Sequence, residues 1–394
     1  MVGLTLALAL AQGGFRVTIA DPLTPQQMAD RGFDGRVTAL AFSSVRMFRA
    51  LGLWDRLQKQ AQPINDILVN ESVLGQGPLP FSLHFDHREI GEPLGYIVEN
   101  RHIRRTLMNV VEAEKRVRYY PGTSAVELVI GEKTASLRLS DGNEIAAPVA
   151  VAADGRDSEL REAQGIATIG WDYGQTGIVT TVKHEYPHHG VAYEQFLPTG
   201  PFAILPMTGN RASLVWTEQT PRAQSLVAMP EPQFSAELAC RFGNQLGEVR
   251  PAGPRWSYPL KLHLARAYVK PRFALAGDAA HTIHPLAGQG LNLGLKDAAA
   301  LAETLLDAAR LGLDHGQLEV LKRYERWRRF DSVILAATTD TMNRLFSNDF
   351  PPLKVVRDLG LSVVDRIPPL RKFFMRHAGG DVGFLPRLLK GQAA

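Results

Sequence analysis

Residues 277 to 294 read "GDAAHTIHPLAGQGLNLG" and place an acid, two histidines, a proline and closely spaced glycines within a few turns of chain. The apolar run "RFALAG" before it predicts a strand that delivers Asp278 at its C-terminal end, the position where α/β sheets bind ligands. A short acid there can accept a hydrogen bond from a sugar hydroxyl. The following "PLAGQGLNLGLKD" opens a helix, whose first backbone N–H groups lack intrahelical partners, and Gly288 and Gly290 remove the side chains that would block close approach. The stretch is therefore a seat for something flat or anionic. His281 and His284 stand beside it, and either could orient a substrate, although a packed or loop-stabilising histidine is the plainer reading of each. His188-His189 looks like half of a metal site, but no carboxylate or cysteine cluster accompanies it, so it reads as a solvated turn and no metal is expected.

A seat of this kind needs strands and helices to hold it, and the composition allows for them. The chain has 394 residues, 45% hydrophobic and 21% charged, enough for one large or two intertwined domains. Forty-four Lys and Arg against 40 Asp and Glu, with a pI of 9.1, give a mild basic balance that suits an anionic cofactor or a membrane surface and falls short of a nucleic-acid binder. The single cysteine, Cys240, excludes an internal disulfide and a cysteine metal cluster and fits a reducing cytosol. "MVGLTLALALAQGG" lacks the charged start of a signal peptide and runs into the strand-like "FRVTIAD". No other segment approaches the ~18 apolar residues of a membrane span, so membrane contact would be peripheral, on the inner face of the cytoplasmic membrane.

Along the chain, a helix over 2–12, a stop at Gly13 and Gly14 and a strand ending in Asp21 form the second half of a β-α-β unit. Asp21 stands eighteen positions past Gly3, where a dinucleotide fingerprint has its ribose acid, and Gly3 can be only the last glycine of that fingerprint. Residues 34–60 read as a loop and a helix broken at Gly52, "PINDILVNES" and "FSLHFDH" as strands, and "ENRHIRRTLMNVVEAE" as a helix. A hairpin turning at Asp141-Gly142 leads into a buried strand, and alternation from 172 to 260 predicts an antiparallel sheet interrupted by one helix over 233–247. Beyond 296 the chain reads as helical.

"GDAAHTIHPLAGQGLNLG" strongly resembles the second FAD-binding motif of the flavin aromatic hydroxylases, and specifically that of the ubiquinone-biosynthesis hydroxylases. "VAADGRDSELR" resembles their Asp-Gly motif, and "DGRVTALAFSS" and "ENRHIRRTL" match two further segments, so the resemblance covers nearly the whole chain. It implies an α/β fold of the para-hydroxybenzoate hydroxylase type: a Rossmann-like FAD-binding domain (1–75, 95–170, 260–315) interleaved with an antiparallel-sheet substrate domain (76–94, 171–259), then a helical region (316–394). It also implies the cofactors FAD and NAD(P)H, with Asp278, after Gly277, at the ribityl or pyrophosphate region and the backbone of Gly288, Gln289, Gly290, Leu291 and Asn292 at the flavin ring. Asp21 would take the adenosine ribose, with Gly3 close by. Arg36, Arg104 and Asn100 would lie near the phosphates or flavin, and Asp154 and Gly155 on the pyrophosphate and NAD(P)H side. Arg161 carries the weakest expectation of these, and His284 and Pro285 would sit next to the flavin.

The activity so implied is a hydroxylation. NAD(P)H reduces FAD, oxygen adds at the flavin C4a position, and the hydroperoxide delivers a hydroxyl to the ring of a polyprenyl phenol, with the protein positioning the ring and excluding water. The first strand and Gly-rich turn of the fingerprint are missing before Met1, and the expectation is an internal start with about 25 further residues upstream. Two alternatives stay open: a flavin monooxygenase acting on another aromatic, or a non-catalytic lipid-binding subunit. Halogenase chemistry is set aside, because the five tryptophans form no Trp-x-Trp pair. The tail from Pro351 mixes apolar residues with Lys354, Arg357, Arg366, Arg371, Lys372 and Arg376, and could rest on an anionic membrane, dock on a ubiquinone-biosynthesis complex or pack on its own domain.

Overall fold

The computed structural model describes residues 1–29, 35–73, 77–284, 288–346, 367, 369, 371–372, 375–376, 379–381 and 383–394. Helix α1 (Val2–Gln12) is apolar at nearly every position and buried from Leu4 to Ala11, so it is an internal element. Gly14, at φ +99°, ends it and turns the chain into β1 (Val17–Asp21) and the short α2 (Pro25–Ala29). The expected loop and helix over 34–60 are in fact a strand, β2 (Val37–Ala41), and two helices, α3 (Phe42–Ala50) and α4 (Trp54–Leu57), separated at Gly52 with φ +70°. The strand escaped detection because "VTALA" is short and passes straight into α3, and a short apolar run does not distinguish strand from helix.

Next come β3 (Ala61–Ile64), β4 (Asp66–Val73), β5 (Gly77–Asp86), β6 (Gly95–Glu99), α5 (Asn100–Ala113) and β7 (Val117–Pro121). β1 and β7 pair in parallel, and β2-β6-β3 form an antiparallel sheet. β8 (Ala125–Ile130), β9 (Ala135–Leu139) and β10 (Glu144–Ala147) form a meander with the expected turn, Gly142 taking φ +86°. After β11 (Ala150–Ala152) and α6 (Glu159–Ala163) the chain enters its large sheet: β12 (Thr168–His184), β13 (Val191–Leu197), β14 (Gly200–Met207) and β15 (Arg211–Gln219). Two helices interrupt it rather than the single one expected, α7 (Thr220–Ala228) and α8 (Glu231–Phe242). Each carries proline in its first turn, a start signal present in the sequence. Then follow β16 (Val249–Pro251), β17 (Trp256–Ala265), β18 (Val269–Lys270), β19 (Phe273–Leu275), β20 (His281–Thr282), α9 (Gln289–Arg310) and α10 (Leu318–Phe346).

The architecture is α/β. β19 pairs in parallel with β11, and α1 and α9 pack on each other in the core they share with β19. The large sheet runs β20-β17-β12-β15-β14-β13-β4-β5, with β16 on β12, and only its β13–β4 pair is parallel. It takes in β4 from Asp66, ahead of the division at 76, and extends through β17 to Ala265. Its two faces do different work. One buries Phe202, Leu214 and Trp216 against Phe234 and Leu238 of α8, each such side chain contributing about 1.5–3 kcal/mol by leaving water. The other packs Ile67, Ala192 and Leu205 on Val37 and Ala39 of β2.

Candidate functional site

The stretch around Asp278 links the two halves of the molecule. β19 is buried at all three positions, and Gly277, at φ +65°, bends the chain so that Asp278 emerges from the strand end. β20 then pairs with β17, at the edge of the large sheet. A buried acid braces this path from behind. Gly277 N donates to Asp297 Oδ2 at 2.9 Å, His281 Nε2 lies 2.6 Å from the same oxygen, and Arg328 Nε donates to Oδ1 at 2.9 Å. Burial opposes ionisation of Asp297, but charge and hydrogen bonds from His281 and Arg328 outweigh it and hold its carboxyl below the usual range. His281 is thus loop-stabilising. Gly294 and Gly277 permit the tight stacking this requires: a Cβ on Gly294 would meet Val2 Cγ2 at 2.6 Å and Gly277 Cα at 3.2 Å.

Charged groups gather in front of the turn. Asp278 keeps an accessible surface there, yet the surrounding protein raises its carboxyl above the usual range, against the opposing charges of His281 and Arg156. The start of α1 lies within the electrostatic reach of Asp21, Arg104 and Asp278 together. Asp21 accepts from Leu23 N at 2.8 Å, and burial raises its carboxyl. Asp21, Arg104 and Asp278 therefore share one electrostatic neighbourhood at the N-terminal end of α1. Gly3, in the first turn of that helix, has room for nothing larger, since a Cβ would come within 3.2 Å of Ala153 Cβ. Asp154 is exposed, and Gly155 takes φ +98°. Asn100 accepts from Thr38 Oγ1 at 2.7 Å, and its N–H donates to Arg36 O at 3.0 Å, tying the start of β2 to the start of α5. Arg161 is buried and donates to Arg156 O and Ala279 O, so it braces the Asp278 turn from inside the protein.

The second part of the site is the N-terminus of α9. Gly288 caps it in the left-handed region (φ 64°, ψ 26°) without a side-chain cap, leaving the first-turn N–H groups with the partial positive charge of the helix end. A Cβ on Gly288 would lie 3.2 Å from Ala39 Cβ, whereas one on Gly290 would have no described atom within 4 Å. The side chain of Asn292 points away from this space. Its Oδ1 accepts from Ala41 N and Ser44 Oγ, both at 2.9 Å, and its Nδ2 donates to Ala39 O at 2.8 Å, so it clamps α9 to β2 and α3. Of Asn292, only the backbone is left for a ligand.

His284 is fully buried, its ring edge-on to Tyr173 at 5.3 Å between centroids. Neither ring nitrogen has a hydrogen-bond partner among the described residues. Burial lowers its pKa to about 4, against the opposing charge of Asp340, so the imidazole is neutral near neutral pH. Pro285 lies outside the described residues, as do Lys354, Arg357 and Arg366 of the tail. His188, expected in a solvated turn, is buried instead and bonds Met207 O and Gly190 N, which makes it a structural loop histidine. Asp297 and Arg328 escaped the sequence reading, although a charged residue followed by the all-apolar "AAALA" of α9 was a usable signal.

These groups fit FAD. An accessible acid at a strand end can accept a sugar hydroxyl, an uncapped helix N-terminus can hold anionic or electron-rich oxygen, and the open space over Gly290 leaves room for a flat ring.

Comparison with known proteins bears on the same point. The family described as an FAD binding domain matches residues 1–333. The ubiquinone hydroxylase UbiL of Rhodospirillum rubrum is 46% identical over 394 residues, covering 99% of this chain and 91% of the relative. The 3-demethoxyubiquinol 3-hydroxylase of Escherichia coli is 37% identical over 383 residues, 96% of each chain. Among solved structures, p-nitrophenol 4-monooxygenase PnpA from Pseudomonas putida superposes with a TM-score of 0.79 at 20% identity over 98% of this chain and 96% of that one, a likeness of fold.

Proposed function

Since the chain belongs to the FAD binding domain family and is an FAD-dependent monooxygenase, we propose that it hydroxylates the aromatic ring of a polyprenyl phenol in ubiquinone biosynthesis. The observation that carries this reading is the extent of the likeness, with two ubiquinone-pathway hydroxylases matching over 96% or more of this chain. When bound, FAD supplies the redox chemistry, with two electrons from NAD(P)H and one oxygen atom of O2 ending in the ring. The chain's own residues position and shield. Asp278 would accept a hydroxyl of the ribityl chain and Asp21 one of the adenosine ribose, and Arg36, Arg104 and the Asp154-Gly155 turn would hold the phosphate side. Backbone N–H groups from Gly288 to Asn292 would be the ones to meet the ring, and the Asn292 clamp and the Asp297 brace hold that backbone in place. The apolar core between the large sheet and β2, with Ile67, Ala192 and Leu205, would back the site and keep water from the reacting ring.

The test of the pathway is the quinone intermediate that accumulates when the gene is deleted. A stalled prenyl phenol lacking one ring hydroxyl is expected and identifies the position, whereas normal ubiquinone with no intermediate overturns the reading. The seat itself has a sharper test. Gly290→Ala adds a methyl where no described protein atom stands within 4 Å, so the apoprotein should melt unchanged. The same methyl intrudes on the ring, and FAD affinity should fall about tenfold, the effect of roughly 1.4 kcal/mol of lost contact. Flavin absorbance per mole of purified protein reads the one effect and a thermal melt the other. Unchanged flavin content would move the ring elsewhere.

A prenylated substrate partitions into the bilayer, and peripheral membrane contact belongs to the same proposal. No helix among the described residues is long and apolar enough to cross a membrane. α10 exposes Phe330 (69%), Val333 and Ile334 next to exposed Arg326 and Arg329, a face suited to an anionic lipid surface.

A further inference from the structure

Glu194 lies in the middle of β13, flanked by β14 and β4, opposite Ala203 on one side and Val69 on the other. Alternation along the strand fixes its face. Tyr193 packs with Ile204 and Trp216 on the side covered by α8, and Ala192 packs with Ile67 and Leu205 on the side facing Val37 and Ala39 of β2. Glu194 shares the face of Ala192, two residues away. Ala39 is also the residue that Gly288 approaches and whose carbonyl accepts from Asn292, so this face and the α9 N-terminus meet across β2.

No hydrogen bond or ion pair joins Glu194 to any described residue, which is unusual for a carboxylate surrounded by protein. It nevertheless keeps some accessible surface. Burial alone raises its pKa to about 7. The charged groups on the elements packed around it are engaged elsewhere and add nothing to that shift: Asp66 with His84, Glu99 with Arg211, and Asp340 with Arg344.

We propose that Glu194 is the proton acceptor for the ring hydroxyl of the aromatic substrate. The inference rests on the hydroxylase reading above and names the residue that activates the ring. The ionised carboxylate takes the hydroxyl proton, and the O–H bonding pair becomes a lone pair on oxygen conjugated with the ring, which loads the ortho and para carbons with electron density. One of those carbons then bonds an oxygen atom from O2, the other oxygen leaving as water with the two electrons that NAD(P)H supplies. The hydrogen on the attacked carbon departs as a proton when aromaticity returns, and Glu194 gives its proton back to the ring oxygen. A carboxyl titrating near neutrality is well matched to both directions of transfer.

The test compares the FAD-loaded wild type with Glu194→Gln, which keeps shape and removes the base. Flavin content should be unchanged, and the thermal melt should match the wild type at low pH and be no lower above about pH 7, because the carboxylate holds no contact on which the fold depends and its burial opposes ionisation. With phenol as the binding probe, read by quenching of flavin fluorescence, wild-type affinity should rise as pH increases through about 7. The variant should bind about tenfold more weakly above that pH with no pH dependence. In turnover, kcat should fall roughly a hundredfold and lose its acid limb. Equal affinity and an unchanged pH profile in the variant would overturn the role of Glu194. The hydroxylase reading fails differently: the pH-dependent binding of phenol would persist while the wild type oxidised no NAD(P)H in the presence of prenyl phenols.

Discussion

Asp297→Ala should cost about 3–5 kcal/mol of folding stability, the range found when one partner of a buried ion pair is removed. Asp297 and Arg328 are 0% and 1% exposed at their side chains, so truncation leaves the buried guanidinium with Asp331 alone, 2.7 Å from its Nη1, and its Nε with no acceptor. The Gly277 N–H and His281 Nε2 lose their acceptor in the same step, and the turn that carries Asp278 loses its brace. Urea denaturation of the apoprotein measures the loss, and a change below about 1 kcal/mol would show that the network is dispensable. The pH dependence has a definite sign. The folded pKa of Asp297 is depressed, so its contribution is complete above the ordinary carboxylate range and is lost as pH falls through the lower folded value. The acid limb of wild-type stability should therefore be steeper than that of Asp297→Ala. Asp297→Asn, which keeps one acceptor for Gly277 or His281 but not the charge, should fall between the two.

Asp278→Ala should do the opposite, leaving the fold intact and emptying the site. Asp278 makes no contact on which the Gly277 turn depends, and its accessible carboxyl is disfavoured by its own surroundings, as a group awaiting a donor would be. A charged acceptor for sugar hydroxyls is worth about 1.5–3 kcal/mol, so FAD affinity should fall roughly 10- to 150-fold. Apoprotein melts should match the wild type within about 0.5 kcal/mol. Titration of apoprotein with FAD, followed by flavin fluorescence, separates this from the Asp297 result, where affinity and stability fall together. Wild-type affinity in Asp278→Ala would remove Asp278 from the cofactor site.

The parts of the site that the sequence exposed are those written in contiguous residues. A strand end, an acid and glycines at a helix start lie within one short stretch, and the physics that makes them a seat is local. What stayed hidden depends on contacts between distant segments. Asn292 meets residues about 250 positions away, and its side chain, about which the sequence said nothing beyond a backbone role at the ring, is consumed inside the protein. His281 was ambiguous until Asp297 and Arg328 came into position behind it. Glu194 sat unnoticed in an alternating strand, because alternation tells which residues share a face and not what that face looks onto. The nine-stranded sheet was legible as antiparallel from the same alternation, while its parallel β13–β4 pair joins strands more than 100 residues apart and leaves no local signature.

The path of residues 277–284 has a thermodynamic consequence. One short segment carries the acid at the dinucleotide end and, three residues later, β20, the outermost rung of the large sheet. Whatever orders this segment from one side orders it for the other, without any hinge motion. FAD and the aromatic substrate should therefore be linked ligands, each tightening the other by the same factor. The factor is measurable as the shift in FAD affinity when the substrate analogue is saturating, and it must equal the shift in analogue affinity between apoprotein and holoprotein.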